Sequence, residues 1–476
     1  MTQGSFTDDG TLQKLFDKQR AHAPQVRATL AGHRIEKIRR LERELLAQRA
    51  EVQAALLADF RKPPQECDLT EIIPVISEIR YAAQHLPRWM AHKRVATPAK
   101  LPGYSSEIRF EPKGVVAIIS PWNYPVNLTL GPLVGALCAG NCVILKPSEL
   151  TPHTSRFLKK FLTGLFSEEE VAVLEGGADA AEALLRLPLD HVFFTGSPQV
   201  GKRVMKAASE HLTSVTLELG GKSPAVVDAT ADLAAAARKI AIAKFSNAGQ
   251  TCIAPDYVLV ESKVHDAFLS ALAEAVETFY GPSAGRAKNV DFPRIVNDRH
   301  FHRVSGLMHS AVAAGAKLVF GGETDAGDRF IAPSALRDVP DTCALMQEEI
   351  FGPVLPVVRY ETLRDAIAYI NAKPNPLAAY VFSKNPTHIE CMVSQTQAGG
   401  MCVNDALLHY LNPALPFGGN GNSGFGRAHG RESFLAFSNA RAVLRQWAAL
   451  PLMKILYPPY GTKMGGRMTD ALLRYF

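Results

Sequence analysis

The chain lacks the features that mark secreted, nucleic-acid-binding and membrane-spanning proteins. Its seven cysteines are odd in number and scattered over 476 residues, unlike the closely spaced pairs of disulfide-stapled domains. No early segment has the basic, apolar and small-residue order of a signal peptide. The net charge is only +6, and the basic residues are spread out instead of forming a nucleic-acid-binding arm. We therefore expect a cytoplasmic protein that binds small anionic molecules and no nucleic acid.

A long apolar run is also missing. Residues 114–145 include no charged side chain, but the segment is interrupted by Pro121, Asn123, Pro125, Asn127, Pro132 and Asn141. Each of these residues would break or hydrate a helix that faces lipid. The sequence therefore predicts a buried unit here and no transmembrane segment.

Metal-ligand clusters are a third absence. Cys138 and Cys142 are spaced like two ligands on one helix, yet no further Cys or His lies near them and Leu, Val and Ala surround them. A structural zinc site needs four such ligands. We interpret both cysteines as core residues and predict no metal site.

The segments that are present alternate between helix and strand patterns. Residues 34–60 and 72–89 have the apolar period of amphipathic helices. Two segments, 115–119 and 143–145, are apolar on both faces and flank a helix over 128–139, which is typical of a parallel sheet covered by helices. Because 476 residues are too many for one hydrophobic core, we expect an α/β protein of two or three domains.

A possible nucleotide site follows the next predicted strand. The segment 191–195 leads into a turn from Gly196 to Gly201 and then a helix, with Ser197 as its cap and Pro198 in its first turn. A free helix N-terminus after a parallel strand is an anion site, often for a dinucleotide pyrophosphate. The spacing is not G-x-G-x-x-G, so a simple tight turn remains the alternative.

Two residues stand out as candidates for chemistry. Cys252 lies among small polar residues just before a predicted strand over 257–260, where a thiol is accessible to a ligand. A lone cysteine is, however, most often a small buried hydrophobe. Glu218 lies in an alternating strand through Val215, Leu217 and Leu219, just before the glycine pair Gly220 and Gly221. Such a carboxylate either pairs with a nearby base or takes part in the reaction.

Seven segments, taken in order, carry a family resemblance. They are PWNYP, LKPSE, FTGSPQVG, LELGGKSP, NAGQTC, EEIFGPV, and LPFGG with NSGFG. Together they resemble the NAD(P)-dependent aldehyde dehydrogenase superfamily from about residue 30 to 445. The phrases around them are most similar to the class-three branch, which includes fatty aldehyde and coniferyl aldehyde dehydrogenases. An ordered set of seven motifs is far more specific than any one of them.

The resemblance implies three catalytic roles. Cys252 would be the nucleophile that adds to an aldehyde carbonyl. Asn123 and the backbone N–H of Cys252 would hold the oxyanion. Glu218 would activate the water that hydrolyses the thioester, or take the proton of the cysteine. No histidine lies in any of the seven motifs to replace it.

The resemblance also implies how a cofactor is held. Lys146 and Glu149 match the residues that contact the adenosine ribose. Gly196, Ser197 and Gly201 form the turn at the pyrophosphate, and Glu349 and Phe351 match the residues at the nicotinamide ribose and ring. A carboxylate at the ribose favours NAD, because it would repel the 2′-phosphate of NADP. NADP nevertheless remains possible, because the class-three branch often tolerates it.

We expect a doubly wound parallel-sheet cofactor domain, an α/β catalytic domain and a small β oligomerisation arm. The cofactor domain comprises 1–97 and 114–220, the catalytic domain 221–430, the arm 98–113 and 431–446, and a C-terminal tail 447–476. An arm of this kind cannot bury its apolar face alone, which predicts a homodimer. The tail is expected to pack on a partner, to lie at a membrane surface or to dock on its own body.

The predicted reaction is the oxidation of aromatic or medium-to-long aliphatic aldehydes to carboxylic acids, with coniferyl aldehyde as a candidate substrate. Two alternatives remain: a CoA-acylating aldehyde dehydrogenase, and a catalytically silent structural protein on this fold. By resemblance the substrate tunnel is mostly apolar, without Arg or Lys, which disfavours semialdehydes. Its expected walls are Ile72, Ile73, Ile76, Tyr81, Tyr124, Asn127 and the loop 407–411, in which His409 and Tyr410 are candidate partners for a phenol.

Overall fold

The computed structural model describes residues 9–99, 101–448, 457–458 and 463–475. Its helices are α1 Asp9–Arg27, α2 Ala31–Ala47, α3 Arg49–Phe60, α4 Pro64–Cys67, α5 Ile73–Met90, α6 Asn127–Ala139, α7 Pro152–Leu165, α8 Ala178–Leu185, α9 Pro198–Ser209, α10 Leu233–Phe245, α11 His265–Tyr280, α12 Asp298–Ala313, α13 Ala344–Gln347, α14 Leu363–Asn371, α15 Pro386–Gln395, α16 Gly430–Ala436 and α17 Lys463–Tyr475. A π-helix, Asp68–Ile72, joins α4 to α5.

The strands form two large sheets and two small ones. They are β1 Lys93–Val95, β2 Tyr104–Pro112, β3 Val115–Ile119, β4 Cys142–Lys146, β5 Val171–Val173, β6 His191–Thr195, β7 Ser214–Glu218, β8 Pro224–Val227, β9 Tyr257–Glu261, β10 Lys317–Phe320, β11 Thr324–Asp325, β12 Phe330–Ile331, β13 Ser334–Arg337, β14 Val354–Tyr360, β15 Ala378–Phe382, β16 Gly400–Val403, β17 Gly424–Phe425 and β18 Ser438–Gln446.

The first large sheet is doubly wound. Its strand order is β17-β7-β6-β3-β4-β5, and all neighbours are parallel except β17 with β7. Strand β3 is fully buried, with one apolar core on each face. The chain leaves β3 towards β4 on one side and later returns to β6 on the other, so the sheet has a switch point, where α/β proteins bind ligands. The predicted buried unit over 114–145 is confirmed.

The second large sheet carries the other half of the chain. Its order is β10-β13-β14-β9-β8-β15-β16, parallel except for the pair of β10 with β13. Helices α10 and α11 pack against it over a separate apolar core. The α/β fold class predicted from the sequence is confirmed.

A three-stranded antiparallel sheet projects from these layers. Strand β2 pairs with β1 on one side and with β18 on the other, in continuous register from Tyr104–Gln446 to Pro112–Ser438. The predicted arm over 431–446 is partly wrong, because residues 430–436 form α16. Phe434 and Phe437 of this segment point into the protein, and both are buried in the apolar core beneath the arm.

The N-terminal helices also differ from the sequence pattern. The single helix predicted over 34–60 is two helices, α2 and α3, because the backbone leaves the helical conformation at Gln48. Its apolar period continues across the break, so the pattern alone does not show it. Ile72 belongs to the π-helix that precedes α5.

In the described part of the chain, no helix is long and apolar enough to cross a membrane. The predicted tail is described only in part. Trp447, Ala448 and α17 belong to the described residues, whereas Leu452, Ile455 and Leu456, on which the surface-binding alternative partly depends, lie outside them.

Candidate active site

Cys252 lies in a loop between α10 and β9 whose backbone is unusually constrained. Asn247, Ala248 and Gly249 have φ values of 53°, 51° and 73°, the left-handed region that residues other than glycine rarely adopt. A side chain at Gly249 would collide with the carbonyl of Gly352. Strain of this kind persists where surrounding contacts impose it, and such places are often functional sites.

Side chains within the loop provide those contacts. Gln250 Nε2 donates to Asn247 O at 2.9 Å and to Arg294 O at 3.1 Å, and its Oε1 accepts from Val296 N at 3.0 Å. Gln250 itself is fully buried, and Cys252 is half-buried. The loop therefore holds Cys252 on a fixed backbone.

Asn123 follows β3 and meets this loop directly. Its Nδ2 donates to Gln250 O at 3.1 Å, and the side chain is only 2% exposed. An amide nitrogen carries two hydrogens, so one remains for a further acceptor. The structure thus places Asn123, the predicted oxyanion donor, in contact with Gln250, two residues before Cys252, the predicted nucleophile.

Glu218 is a buried carboxyl group with no hydrogen-bond partner. It ends β7, it is 5% exposed, and neither Oε1 nor Oε2 has a partner within the described residues. Burial raises its pKa well above the usual value, while the positive charge of Arg427 opposes the shift. An unpaired buried carboxyl is costly and is retained where a reaction uses it.

The thiol of Cys252 is electrostatically linked to two carboxyl groups. Burial raises its pKa to about 12, and the negative charges of Glu349 and Glu218 add to the shift. The backbone N–H groups of Cys252 and Ile253 face the sulfur and oppose it. The free protein therefore keeps the thiol protonated, and deprotonation requires a base or a change in this environment.

The predicted ribose residues lie at the end of β4. Lys146 Nζ donates to Glu149 Oε2 at 2.8 Å, with side chains that are 5% and 46% exposed. Lys146 lies opposite Ile119, the last residue of β3, from which the chain continues to β4 on one side and later returns to β6 on the other. Glu149 therefore presents a carboxylate to solvent beside a buried cation.

The turn from Gly196 to Gly201 supports the N-terminus of α9. Ser197 caps the helix by accepting a hydrogen bond from Val200 N at 3.4 Å, as predicted. A Cβ atom would lie 2.5 Å from the ring of Phe194 at Gly196 and 2.8 Å from Leu219 at Gly201. The glycines bring the helix close to the sheet. Because Pro198 has no N–H and Val200 N is bound by Ser197, the N–H of Gln199 and the positive end of the helix dipole remain to face an anion.

Glu349 and Phe351 lie on the loop before β14. Burial, and then the charge of Asp256, raise the pKa of Glu349 to about 8. Its carboxyl packs on Gly220, where any side chain would collide with it. Phe351, at φ 48°, packs its ring edge-on against Trp122 at 5.3 Å.

Three ionic side chains that sequence reasoning missed hold this loop. Arg303 donates to Glu349 O at 3.2 Å and to Ile350 O at 2.7 Å. Asp256 Oδ1 accepts from Ile350 N at 2.9 Å, and Lys222 pairs with the other oxygen of Asp256. Lys222 lies in the LELGGKSP motif, but no local sequence pattern identifies Arg303 or Asp256.

The expected tunnel walls come together only in part. Asn127 Nδ2 donates to the hydroxyl of Tyr410 at 2.8 Å, and the Nδ1 atom of His409 lies 3.1 Å from Cys402 Sγ. Tyr410 and His409 therefore each have a polar contact. Among the described residues, however, His409 Nε2 has no hydrogen-bond partner.

Three of the expected wall residues line an open groove of about 460 Å³. Its lining consists of Ile73, Ile76, Ser77, Arg80, Tyr81, Gln84 and Pro413. Arg80 places a cation beside the apolar walls, which the sequence did not predict. Its Nε already donates to Glu42 Oε1 at 2.6 Å, so part of its charge is neutralised.

The remaining polar clusters do not resemble a metal centre. Cys138 and Cys142 are fully buried core residues, as predicted. Across residues 9–99, 101–448, 457–458 and 463–475, no group of three His, Cys, Asp or Glu side chains is arranged to hold a metal ion.

Known proteins are similar to this chain in sequence over most of its length. Aldehyde dehydrogenase family 3 member B2 of Mus musculus is 42% identical over 97% of this chain and 94% of its own length. A probable coniferyl aldehyde dehydrogenase of Pseudomonas aeruginosa is 42% identical over 96% of each chain. A dimeric NADP-preferring aldehyde dehydrogenase of Canis lupus familiaris is 42% identical over 90% of this chain and 94% of its own.

Solved structures of other proteins have folds similar to that of this chain. The substrate-bound state of Staphylococcus aureus AldH has a TM-score of 0.92 and 40% identity, covering 97% of this chain and 99% of that one. An indole-3-acetaldehyde dehydrogenase in complex with NAD⁺ has a TM-score of 0.86 and 29% identity over 93% and 90%. The aldehyde dehydrogenase family model matches residues 5–443. This chain therefore belongs to the aldehyde dehydrogenase family, in the branch that resembles class three.

Proposed function

We propose that this protein oxidises apolar aldehydes to carboxylic acids with NAD, or with NADP, through Cys252, Glu218 and Asn123. The observation that carries the proposal is Glu218. Its carboxyl group is buried, has no hydrogen-bond partner among the residues that the structure describes, and lies close enough to Cys252 to raise the pKa of the thiol. A base in that position serves hydrolysis of a thioester on Cys252.

The cofactor face fits a nicotinamide dinucleotide. Glu149 is half exposed beside Lys146 and would accept from ribose hydroxyls. The N-terminus of α9 would hold a pyrophosphate through the N–H of Gln199 and the helix dipole, because Ser197 already binds Val200 N. Glu349 and Phe351 would hold the nicotinamide end. When bound, NAD supplies the hydride acceptor for the oxidation.

Cys252 begins the reaction. Its proton passes to Glu218 or to water, and the sulfur lone pair forms a bond to the aldehyde carbon while the C=O π pair moves onto oxygen. The second N–H of the Asn123 amide and the backbone N–H of Cys252 would stabilise the oxyanion. Asn123 needs little movement for this, because Gln250 O already holds its Nδ2 at 3.1 Å.

Glu218 completes the reaction. After oxidation the acyl group is joined to Cys252 as a thioester. Glu218 takes a proton from water as the water oxygen attacks the acyl carbon, and the thiolate of Cys252 leaves with the electron pair. Because burial raises its pKa, Glu218 is a stronger base when ionised than an exposed glutamate would be.

The proposed substrates are aromatic aldehydes, including coniferyl aldehyde, and medium-to-long aliphatic aldehydes. The groove walls are largely apolar, and Arg80 is engaged with Glu42, so a substrate carboxylate would compete for an occupied cation. Each buried CH₂ should contribute up to about 0.8 kcal/mol until the groove ends. We expect kcat/KM for benzaldehyde, cinnamaldehyde and octanal to exceed that for acetaldehyde and succinic semialdehyde.

One assay separates the three candidate functions. The protein is incubated with NAD and an aldehyde, with and without CoA, while reduced cofactor and product are both followed. We expect NADH and a free carboxylic acid without CoA. An absolute requirement for CoA would assign the acylating reaction, and absence of NADH with every aldehyde would assign a structural role.

The three-stranded arm is proposed to cross to a partner in a homodimer. Its strands expose apolar side chains, including Val95 and Leu444, and Trp447 just beyond β18 is 71% exposed. Burying them on a second subunit would remove this surface from water. Sedimentation should show a dimer, and a stable monomer at micromolar concentration would contradict the assignment. The domain division and a cytoplasmic location remain part of the same proposal.

A further inference from the structure

A fully buried ion pair lies behind the two loops that carry Asn123 and Cys252. Lys62 Nζ donates to Glu71 Oε1 at 2.7 Å, and both side chains are 0% exposed. Removing two charges from water costs several kcal/mol per ion, and an apolar pair of similar shape often gives equal stability. Stability alone therefore does not explain why this pair is here.

Lys62 contacts the segment after β3. Its Nζ lies 4.1 Å from the centroid of the Tyr124 ring and 3.5 Å from Asn123 O. The Tyr124 hydroxyl in turn shares a hydrogen bond of 2.6 Å with the hydroxyl of Thr251, the residue before Cys252. One cation thus touches the Asn123 segment directly and the Cys252 loop through a single side chain.

Glu71 fixes the other end of the Asn123 segment. Its Oε2 accepts from Val126 N at 3.1 Å and from Asn127 N at 3.0 Å, where α6 begins. A carboxylate is favourable at a helix N-terminus. Glu71 lies in the π-helix, a departure from regular helix that is frequent at functional sites.

Glu66 binds the strained loop at Asn247, and Asn247 in turn contacts Asn123. Its Oε1 accepts from Asn247 N at 2.7 Å. Asn247 Nδ2 then donates to Asn123 O at 2.9 Å and to Gln250 O at 3.1 Å. The acceptor Gln250 O is also the partner of Asn123 Nδ2, so the contacts form a closed network.

We propose that Lys62 and Glu71 are positioning residues that hold the Asn123 amide in its oxyanion-binding orientation. The inference rests on the proposed function. Neither side chain is expected to touch the reacting atoms; both act through the backbone of residues 123–127 and through Tyr124. An oxyanion donor contributes about 10²–10³ to kcat when it is preorganised, and a donor that is free to move gives only part of that factor.

The test is a double-mutant cycle. Lys62→Met and the charge-neutral pair Lys62→Met with Glu71→Gln are each made in the wild type and in Asn123→Ala. We expect kcat to fall about tenfold or more in the wild-type background, with KM for the aldehyde and Kd for NAD little changed, and to fall far less once Asn123 is absent. An equal loss of kcat in both backgrounds would overturn the inference.

A matched control removes another ion pair. Lys37→Met breaks the Lys37–Glu170 pair, which is partly buried and lies outside residues 123–127 and 247–252. It should lower thermal stability without changing kcat. If Lys62→Met and Lys37→Met had the same effects, Lys62 would have a structural role only.

The double variant and Tyr124→Phe show whether a loss of activity comes from misfolding. The charge-neutral double variant removes both members of the Lys62–Glu71 pair, so neither is left buried without the other, and it should fold where Lys62→Met alone does not. Tyr124→Phe removes only the hydroxyl contact to Thr251 and should lower kcat by a smaller factor. Unchanged kcat in both would refute the inference, whereas a wild-type protein that reduces no NAD with any aldehyde would refute the proposed function instead.

Discussion

The cofactor edge and the catalytic centre differ in how their charged side chains are paired and buried. At the cofactor edge Lys146 and Glu149 neutralise each other at 2.8 Å, and Glu149 is 46% exposed. In the catalytic centre Glu218 is 5% exposed and both of its oxygens lack a partner. The first arrangement is stable without a ligand, whereas the second carries a desolvation cost.

The difference indicates what each region contributes. A binding edge can exchange one partner for another, so its groups are already paired in the free protein. A catalytic carboxyl must be able to take a proton during the reaction, and a permanent hydrogen-bond partner would lower its basicity. Loss of a group should therefore abolish turnover at the centre but only weaken affinity at the edge.

The largest effect is expected for Cys252→Ser. An alcohol is a far weaker nucleophile than a thiolate, and none of the seven motifs contains a histidine that could activate a serine. Dehydrogenase turnover should fall below detection, while binding of NAD, measured by calorimetry, is retained. Cys391→Ser serves as the control, because Cys391 lies on α15 and packs against a different apolar cluster from Cys252. Substantial turnover of Cys252→Ser would remove the mechanism.

Glu218→Gln should separate the two halves of the reaction. The amide cannot take a proton from water, so hydrolysis of the thioester slows while acylation of Cys252 continues in part. Rapid mixing should show a burst of NADH followed by a steady rate lower than that of the wild type by about 10²-fold or more. Equal loss of the burst and the steady rate would instead assign Glu218 to activation of the thiol.

A smaller effect is expected at the cofactor edge. Glu149→Gln removes the carboxylate and leaves Lys146 without its partner, so NAD should bind more weakly by about three- to tenfold. NADP should lose less affinity or gain some, because the charge that repels its 2′-phosphate is absent. Titrations of both cofactors measure the ratio of the two Kd values. An unchanged ratio would show that Glu149 does not contact the ribose.

The sequence predicted the large architecture because burial leaves a local pattern. Strands β3 and β4 are apolar on both faces, and that pattern identified them. Helix α16 was missed because Phe434 and Phe437 pack against distant core residues and not against their neighbours in sequence. The break at Gln48 was missed because the apolar period continues through it.

The candidate site was predictable to the extent that motifs carry it. Cys252, Glu218 and Asn123 stand in recognisable segments, and the structure brings Asn123 into contact with the loop of Cys252. The supporting pair Lys62 and Glu71 was missed because its contacts reach residues 123–127, and no spacing within 62–71 encodes them. That Glu218 has no partner is likewise a property of the packed structure.

The smallest predicted effect concerns His409, another polar group with an unpartnered atom. Within the described part of the chain its Nε2 lacks a hydrogen-bond partner, and burial lowers its pKa to about 4. Between pH 6.5 and pH 4 the unfolded chain therefore binds a proton that the folded protein does not, so this histidine reduces stability as the pH falls.

His409→Phe should remove that penalty while keeping a ring beside Phe417, with which His409 stacks at 6.1 Å. At pH 7 the variant should differ little from the wild type, whereas at pH 5 its free energy of unfolding should be higher by up to about 2 kcal/mol. Denaturant unfolding of the cofactor-free protein at both pH values measures the difference. His33→Gln, at an exposed position, should show no such dependence. If the gain of His409→Phe were the same at pH 7 and pH 5, it would come from packing, and the histidine would not be held neutral by its burial.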